Sequence, residues 1–216
     1  MSEKEILETG LERMGLICSE ELSTRLLAYL SLLEKWNQAI NLTAIRERDR
    51  MVTHHLLDSL SVLPYLPKLA HHLADIGTGA GLPGIPLAIA RQDISVTLVE
   101  PNQKKVAFLR QVKGALGLAN LEVIGKRVED IPSALFDCVI SRAFADLPDF
   151  VRVSERILSL NGILIAMKGL VPYEEIARLP AHAKTRVEAI DLPDLSVSRH
   201  LIIVHFESIE EATLPS

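Results

Sequence analysis

Asp75-Ile76-Gly77-Thr78-Gly79-Ala80-Gly81-Leu82-Pro83-Gly84 lies between two apolar runs, and Glu100 closes a further strand-like run. Glycines at 77, 79 and 81 let a turn at a strand's end pass close beneath a ligand, where a Cβ would collide. The spacing is G-x-G-x-G. Leu82 stands where the G-x-G-x-x-G turn of a dinucleotide fold carries its third glycine. This departure favours S-adenosylmethionine, which has no pyrophosphate to cradle, over NAD.

Working outward from this turn, the period of the chain is that of alternating strands and helices. Leu73–Ile76 reads as a first strand and Pro83–Ala90 as the helix after it. Strands are expected at Ile94–Val99, Leu121–Ile124, Phe136–Ile140 and Ile163–Met167. Between them, Val106, Leu109, Val112 and Leu116 mark a helical face over Asn102–Leu116. A helix is also expected over Leu147–Leu160, stopped by Asn161-Gly162. Such alternation implies a parallel sheet covered on both faces. Arg186–Ile190 and Leu201–Phe206, joined by a loop with Pro193 and Asp194, form a closing antiparallel pair. Upstream of residue 68 the pattern is helical. Ser19 caps a helix with Glu20 and Glu21 in its first turn, followed by Leu22, Leu26, Leu30 and Leu33 with Tyr29 and Trp36 widening the stripe. Another helix is expected from about Glu47 to Leu63, ended by Pro64 and Pro67. The organisation expected is a helical extension over 1–67 packed on a core domain over 68–216.

The 216 residues are 48% apolar and 24% charged, which suits a globular chain with one main core. No apolar stretch approaches the ~20 residues of a membrane span, and Met-Ser-Glu-Lys-Glu lacks the order of a signal peptide. A cytoplasmic protein with no membrane partner is expected. Cys18 and Cys138 form no metal or redox pattern, Cys138 reads as a core residue, and no metal is expected. The net charge of −5 does not advertise nucleic acid. Basic residues nevertheless cluster at Lys104, Lys105, Arg110, Lys113, Lys126 and Arg127, and again at Lys168, Arg178, Lys184, Arg186 and Arg199. Acids gather at the ends, at Glu3, Glu5 and Glu8 and at Glu207, Glu210 and Glu211, and the last few residues read as disordered.

In an open parallel sheet the ligand crevice lies beyond the carboxyl ends of the strands, where these turns fall. Asp75 either braces the glycine loop or receives a ligand amine. Gly77 and Gly79 allow close approach, and Leu82 lies against the nucleoside or methionine portion. Glu100 ends strand two, where a carboxylate accepts hydrogen bonds from both ribose hydroxyls. After strand three, Val128 faces adenine, and Glu129 or Asp130 its polar edge. Arg142 after strand four suits a phosphate or the methionine carboxylate in bidentate geometry. Lys168 after strand five is a further phosphate candidate, and Phe144 either stacks on a base or fills core. His54 and Asp58 share one helical face, where folding is favoured over catalysis. These patterns reach a methyl-donor fold and stop short of the acceptor.

Trp36-Asn37, Asn41-Leu42-Thr43, His55 with Asp58-Ser59-Leu60, the 75–84 loop, Ser141-Arg142-Ala143-Phe144 and Met167-Lys168-Gly169 together resemble the RsmG family, also called GidB. The resemblance runs from about residue 20 to 206. It implies a class I S-adenosylmethionine-dependent methyltransferase: a Rossmann-like, mostly parallel seven-stranded sheet with an N-terminal helical extension. It implies transfer of a methyl group to N7 of a guanine in the 530 loop of bacterial 16S rRNA, within the 30S subunit or a late assembly particle, by a monomer. Carried over by motif, the donor-site residues are Gly77, Leu82, Val128, Glu129 and Arg142; Asp75, Gly79 and Glu100 come from the general geometry. Two departures stand out: Ala80 where many members have proline, and His205-Phe206-Glu207 where the family's tail often keeps a basic residue. Guanine N7 carries a lone pair and no proton, so no general base is required, and orienting the reactants is the main task. Positive charge moves onto the purine, so a lysine beside N7 would oppose transfer. Arg142 and Lys168 are therefore assigned to holding phosphate or the donor's tail. The other readings are a methyltransferase with a small-molecule or protein acceptor, a ribosome-binding protein with a vestigial pocket, and a dehydrogenase disfavoured by the glycine spacing.

Overall fold

A computed structural model describes residues 1–133, 135–142, 144, 146–192 and 198–207. The Pro193–Asp194 loop, Ala143 of the Ser141–Phe144 block, and the tail with Glu210 and Glu211 lie outside them. Among the described residues seven strands form one sheet: β1 (His72–Ile76), β2 (Ser95–Val99), β3 (Leu121–Ile124), β4 (Phe136–Ser141), β5 (Leu158–Lys168), β6 (Ala183–Ile190) and β7 (Arg199–Phe206). Their order is β3-β2-β1-β4-β5-β7-β6. β1 to β5 run parallel, and β7 is antiparallel to both β5 and β6. The chain winds outward from β1 in one direction and then from β4 in the other. The crevice at their carboxyl ends is thus the switch point at which open α/β sheets take ligands.

Alternation along the strands separates two buried clusters, as side chains of period two on a doubly covered sheet must. Leu73, Leu98, Cys138, Ile140 and Ile165 face one cluster; Ala74, Ile76, Val99, Val139, Leu164 and Ala166 face the other. The first also contains Leu7 and Leu11 of α1 (Glu3–Arg13) and Leu26, Tyr29, Leu30 and Leu33 of α2 (Glu20–Ile40). Ser19 caps α2 by accepting from Leu22 N. Tyr29 donates its hydroxyl to the carbonyl of Ala80 at 2.8 Å, tying α2 to the glycine loop.

The helix expected over 47–63 is broken into α3 (Arg48–Met51), a π-helical stretch (Val52–Leu57), α4 (Asp58–Leu60) and a 3₁₀ turn (Leu63–Tyr65). Asp58 N–H bonds to the carbonyls of Thr53 and His55. It skips His54, the i−4 partner of a regular helix. α5 (Gly84–Ala90) and α6 (Gln103–Ala115) follow β1 and β2, with Asn102 capping α6 through Lys104 N and Lys105 N.

The helix expected over Leu147–Leu160 is shorter. α7 spans Leu147–Glu155, and β5 already begins at Leu158. Pairing runs Phe136↔Leu158 and then Cys138↔Ile163, so β5 carries extra residues there. Asn161 takes a φ of 66°, and a Cβ on Gly162 would sit 2.7 Å from Leu158 and 3.1 Å from the Asp137 carbonyl. The Asn-Gly pair therefore makes a strand irregularity rather than a helix stop. The short α8 (Tyr173–Ala177) was not foreseen.

Candidate donor and acceptor crevice

At the end of β1, Gly77 N and Thr78 N both donate to the Val99 carbonyl, at 2.9 and 3.3 Å, bending the chain over β2. Asp75 is wholly buried beneath this bend. Its Oδ2 accepts from Thr78 Oγ1 at 2.5 Å and Gly84 N at 2.8 Å, so it braces both ends of the loop. Burial pushes its carboxyl up to about 7, against the opposing pull of those two bonds, and Oδ1 has no partner among the described residues.

The loop glycines divide into two kinds. A Cβ on Gly77 or Gly79 would meet nothing closer than 3.9 Å, and both residues hold positive φ, 66° and 60°. A Cβ on Gly81 would collide with Ile85, and one on Gly84 with Leu98. A Cβ at the first pair would make only ordinary contacts, with Phe144, the Gly77 carbonyl and Lys105; the second pair is required by packing. Leu82, with 4% exposure, lies in the first core cluster, so its side chain is occupied there.

Glu100 is buried at the end of β2. Its Oε2 accepts from Gly79 N at 3.0 Å and its Oε1 from Asn102 N at 2.9 Å. The carboxylate thus stands beside the open glycine and keeps acceptor capacity on both oxygens. Val128, buried, and Glu129 form a 3₁₀ turn (Val128–Asp130) after β3. Arg156 holds that turn from below by donating to the carbonyls of Val128, Glu129 and Ile131.

Across the switch point the crevice changes character. Ser141 Oγ donates to the Ile76 carbonyl at 2.8 Å, fixing the end of β4 beside β1. Arg142 then turns toward the helical extension, where Nη1 donates to the His54 carbonyl at 3.0 Å and to Asp58 Oδ2 at 3.1 Å. The carbonyl it finds is the one that Asp58 N–H skips. Asp58, 2% exposed, also accepts Arg199 Nε on Oδ1 at 2.9 Å. A cavity of about 330 Å³ opens beside this trio, with Ile45, His54, Met167 and Lys168 on its other walls. Lys168 donates to Glu175 Oε2 at 3.0 Å and to the Phe144 carbonyl at 3.3 Å, so its charge is matched by a carboxylate. Phe144 packs on Phe150 with ring centroids 5.6 Å apart, which supports its core role.

His55 is buried beneath the cavity. Its Nε2 lies 2.9 Å from Thr43 Oγ1, and Thr43 is clasped through its backbone by the side-chain amide of Asn37. Burial first, and the Arg142 charge second, lower the imidazole to about 4, so it is neutral at pH 7. The Asn37, Thr43 and His55 blocks of the sequence are thus one hydrogen-bonded support.

The structure brings Asp75, Gly77, Gly79 and Glu100 together around the turn after β1, and Arg142 and Lys168 around the cavity beside Asp58. Three features escaped the sequence reading: the Tyr29 bond to the loop, the sharing of Asp58 by two arginines, and the place of Arg199. The hint of the last was the membership of Arg199 in the second basic cluster, with Lys168, Arg178, Lys184 and Arg186. Among the described residues no group of three or more His, Cys, Asp or Glu is placed to hold a metal ion. Among them, too, no helix is long and apolar enough to cross a membrane.

The family model described as "GidB: rRNA small subunit methyltransferase G" matches residues 22–202. The ribosomal RNA small subunit methyltransferase G of Aromatoleum aromaticum is 50% identical over 204 residues, covering 92% of this chain and 96% of that protein. The same-named protein of Neisseria gonorrhoeae is 46% identical over 205 residues, covering 94% and 99%. Among solved structures, the O-methyltransferase TomG from Streptomyces achromogenes, in complex with SAM, superposes with a TM-score of 0.60 over 96% of this chain and all of its own. At 14% identity that likeness speaks for the fold alone.

Proposed function

The chain belongs to the GidB family of rRNA small subunit methyltransferases, and from that membership we propose how its crevice divides the work between two substrates. It is an S-adenosylmethionine-dependent enzyme that methylates N7 of a guanine in the 530 loop of 16S rRNA. The partner state we propose is the 30S subunit or a late assembly particle.

The donor occupies the β1–β2 side. The observation that carries this is the pair of left-handed glycines, Gly77 and Gly79, with Gly79 N bonded to the buried carboxylate of Glu100. The residues there fit S-adenosylmethionine. Glu100 has lone pairs for a diol, and Asp75 Oδ1, without a partner among the described residues, lies under the same loop. Val128 offers an apolar contact and Glu129 a polar one. The donor supplies a methyl group made electrophilic by a sulfonium.

The protein's own contribution is alignment. Asp75 and Tyr29 hold the loop from two sides, and Ser141 ties the end of β4 to the end of β1 beside it. No side chain needs to take a proton from N7. The neutral state of His55 and the pairing of Lys168 with Glu175 limit the positive charge around a base that itself becomes positive. The target guanine must leave its stack to reach such a crevice, as loop bases do most cheaply.

Transfer of tritiated methyl from S-adenosylmethionine to small subunits that lack this modification tests the proposal. Label mapping to one N7-methylguanosine in the 530 loop is expected. Transfer to bare 16S rRNA but not to subunits would move the substrate to an earlier stage. Donor binding without transfer to any of these RNAs would overturn the acceptor assignment.

A further inference from the structure

We propose that Arg156, which grips the Val128–Asp130 turn from the α7 side, is a positioning residue that makes the donor site selective for adenine by holding the Val128–Glu129 peptide in one orientation. This rests on the reading of that turn as the adenine side of the donor site, and it concerns a residue that no sequence motif indicated.

Arg156 closes the C-terminal end of α7. Its neighbour Ile157 is wholly buried, and the Ile157 carbonyl accepts from Leu135 N and Phe136 N at 2.9 and 3.0 Å. The arginine therefore extends from a fixed point. Its guanidinium spans three carbonyls of the turn region: Nη1 donates to Val128 at 3.3 Å and Glu129 at 2.5 Å, and Nη2 to Ile131 at 2.8 Å. Among the described residues Arg156 forms no ion pair, so its cation is given over to main chain. The turn's own bonds are of the poorly aligned i→i+3 kind. They run from Asp130 N to the Arg127 carbonyl at 3.1 Å and from Ile131 N to the Val128 carbonyl at 3.2 Å. The guanidinium supplies the restraint that such a turn lacks, with charge-assisted bonds.

A planar trans peptide points its N–H opposite to its C=O. With the Val128 carbonyl turned to Arg156, the Glu129 N–H is aimed away from it. Among the described residues that N–H has no partner. The turn thus presents one main-chain donor whose direction Arg156 sets. Adenine carries a bare acceptor at N1, whereas hypoxanthine carries an N–H there. Flipping the Val128–Glu129 peptide would offer a carbonyl in place of the donor and would suit hypoxanthine; Arg156 opposes that flip. A donor facing a donor leaves both groups unpaired, and mismatches of this kind discriminate strongly between ligands. The competing reading is an arginine that only steadies the fold. Arg156 is exposed, and an exposed side chain of that kind costs little stability when replaced. The two readings differ in what they expect at the base edge.

The test measures binding of S-adenosylhomocysteine and S-inosylhomocysteine, which differ only at the base edge, by calorimetry. Wild type is compared with Arg156→Gln and Arg156→Lys, and melting curves are taken on the same samples. Wild type should prefer the adenine ligand by at least about 30-fold. In Arg156→Gln the adenine ligand should weaken about fivefold while the hypoxanthine ligand holds or gains, so that the preference falls about tenfold. Arg156→Lys should recover only part of the preference, because an ammonium keeps the charge without the fork that spans several carbonyls. Melting within about 3 °C of wild type certifies that both variants fold. An unchanged preference in Arg156→Gln would overturn the proposal, whether both affinities are kept or both fall in step. It would leave the adenine reading of the turn standing. Equal binding of the two ligands by wild type would instead reject that reading, and the proposal with it.

Discussion

Along β1 and β2 the groups that border the crevice are mainly main chain, drawn from residues 75–84, with Glu100 as the added carboxylate. Along β4, β5 and β7 they are side chains, from residues 142, 168 and 199 together with His54 and Asp58 of the helical extension. A site made of backbone depends on side chains being absent, so one added Cβ in the wrong place can close it. A site made of converging side chains depends on charge and reach, so its losses are graded. The first is written in one short stretch of sequence; the second exists only after folding.

The sharpest way to break this contrast is Gly79→Leu. The side chain would enter the space beside Glu100 and should weaken donor binding by at least about 100-fold. The left-handed backbone adds about 1–2 kcal/mol of strain. Calorimetry showing native donor affinity would remove Gly79 from the donor's floor. Arg142→Ala should lower kcat/KM for subunit methylation by about 100-fold, because a charge-assisted contact and its aligned partner are lost together. Melting should change far less than transfer does, and wild-type transfer kinetics would refute this role.

Gly81→Ala should do the opposite of Gly79→Leu. Its Cβ would strike Ile85 at a φ of 88°, costing about 2–3 kcal/mol. A fall in melting temperature of roughly 4–12 °C follows for a chain of this size. Donor affinity of the folded molecules should be kept; a loss matching that of Gly79→Leu would erase the distinction between the two glycine pairs.

His55 sharpens the acceptor side through pH. Its folded value, about 4, lies below the ordinary value of 6.5. Its contribution to stability is therefore full above pH 6.5 and is lost as pH falls toward 4, up to about 3 kcal/mol. His55→Gln should thus melt with a shallower dependence on pH between 7 and 4.5 than wild type. Parallel curves would mean that His55 titrates freely in the folded protein. The smallest effect is expected from Tyr29→Phe, which strips the Ala80 carbonyl of its buried donor. About 1–2 kcal/mol of stability and a few-fold loss of donor affinity should follow. Unchanged donor affinity would confine Tyr29 to packing.

Legibility followed the same divide. The places of Asp75, the glycines and Glu100 at strand ends were readable because strand ends and positive-φ turns leave local marks. The succession of strands along the chain, the Ser19 cap and the closing antiparallel pair were readable for the same reason. Asn161-Gly162 misled, since the pair serves a helix stop and a strand irregularity equally well. Only the pairing of Phe136 and Cys138 with β5 decides between them. Asp58 and Arg199, 141 residues apart, have no local signal that they share an ion pair. Lys168 was readable as a cation after a strand, but its neutralisation by Glu175 depends on α8, a helix too short to announce itself.

The π-helical stretch at Val52–Leu57 makes chain length, rather than the identity of any one side chain, the constrained quantity in this segment. One residue turns a regular helix by about 100°. Deleting a single residue between 52 and 57 would restore the i→i−4 ladder, return the His54 carbonyl to it, and swing the Asp58 carboxylate away from both guanidinium groups. Conservative substitutions should therefore be tolerated here far better than a one-codon deletion, whichever residue that deletion removes.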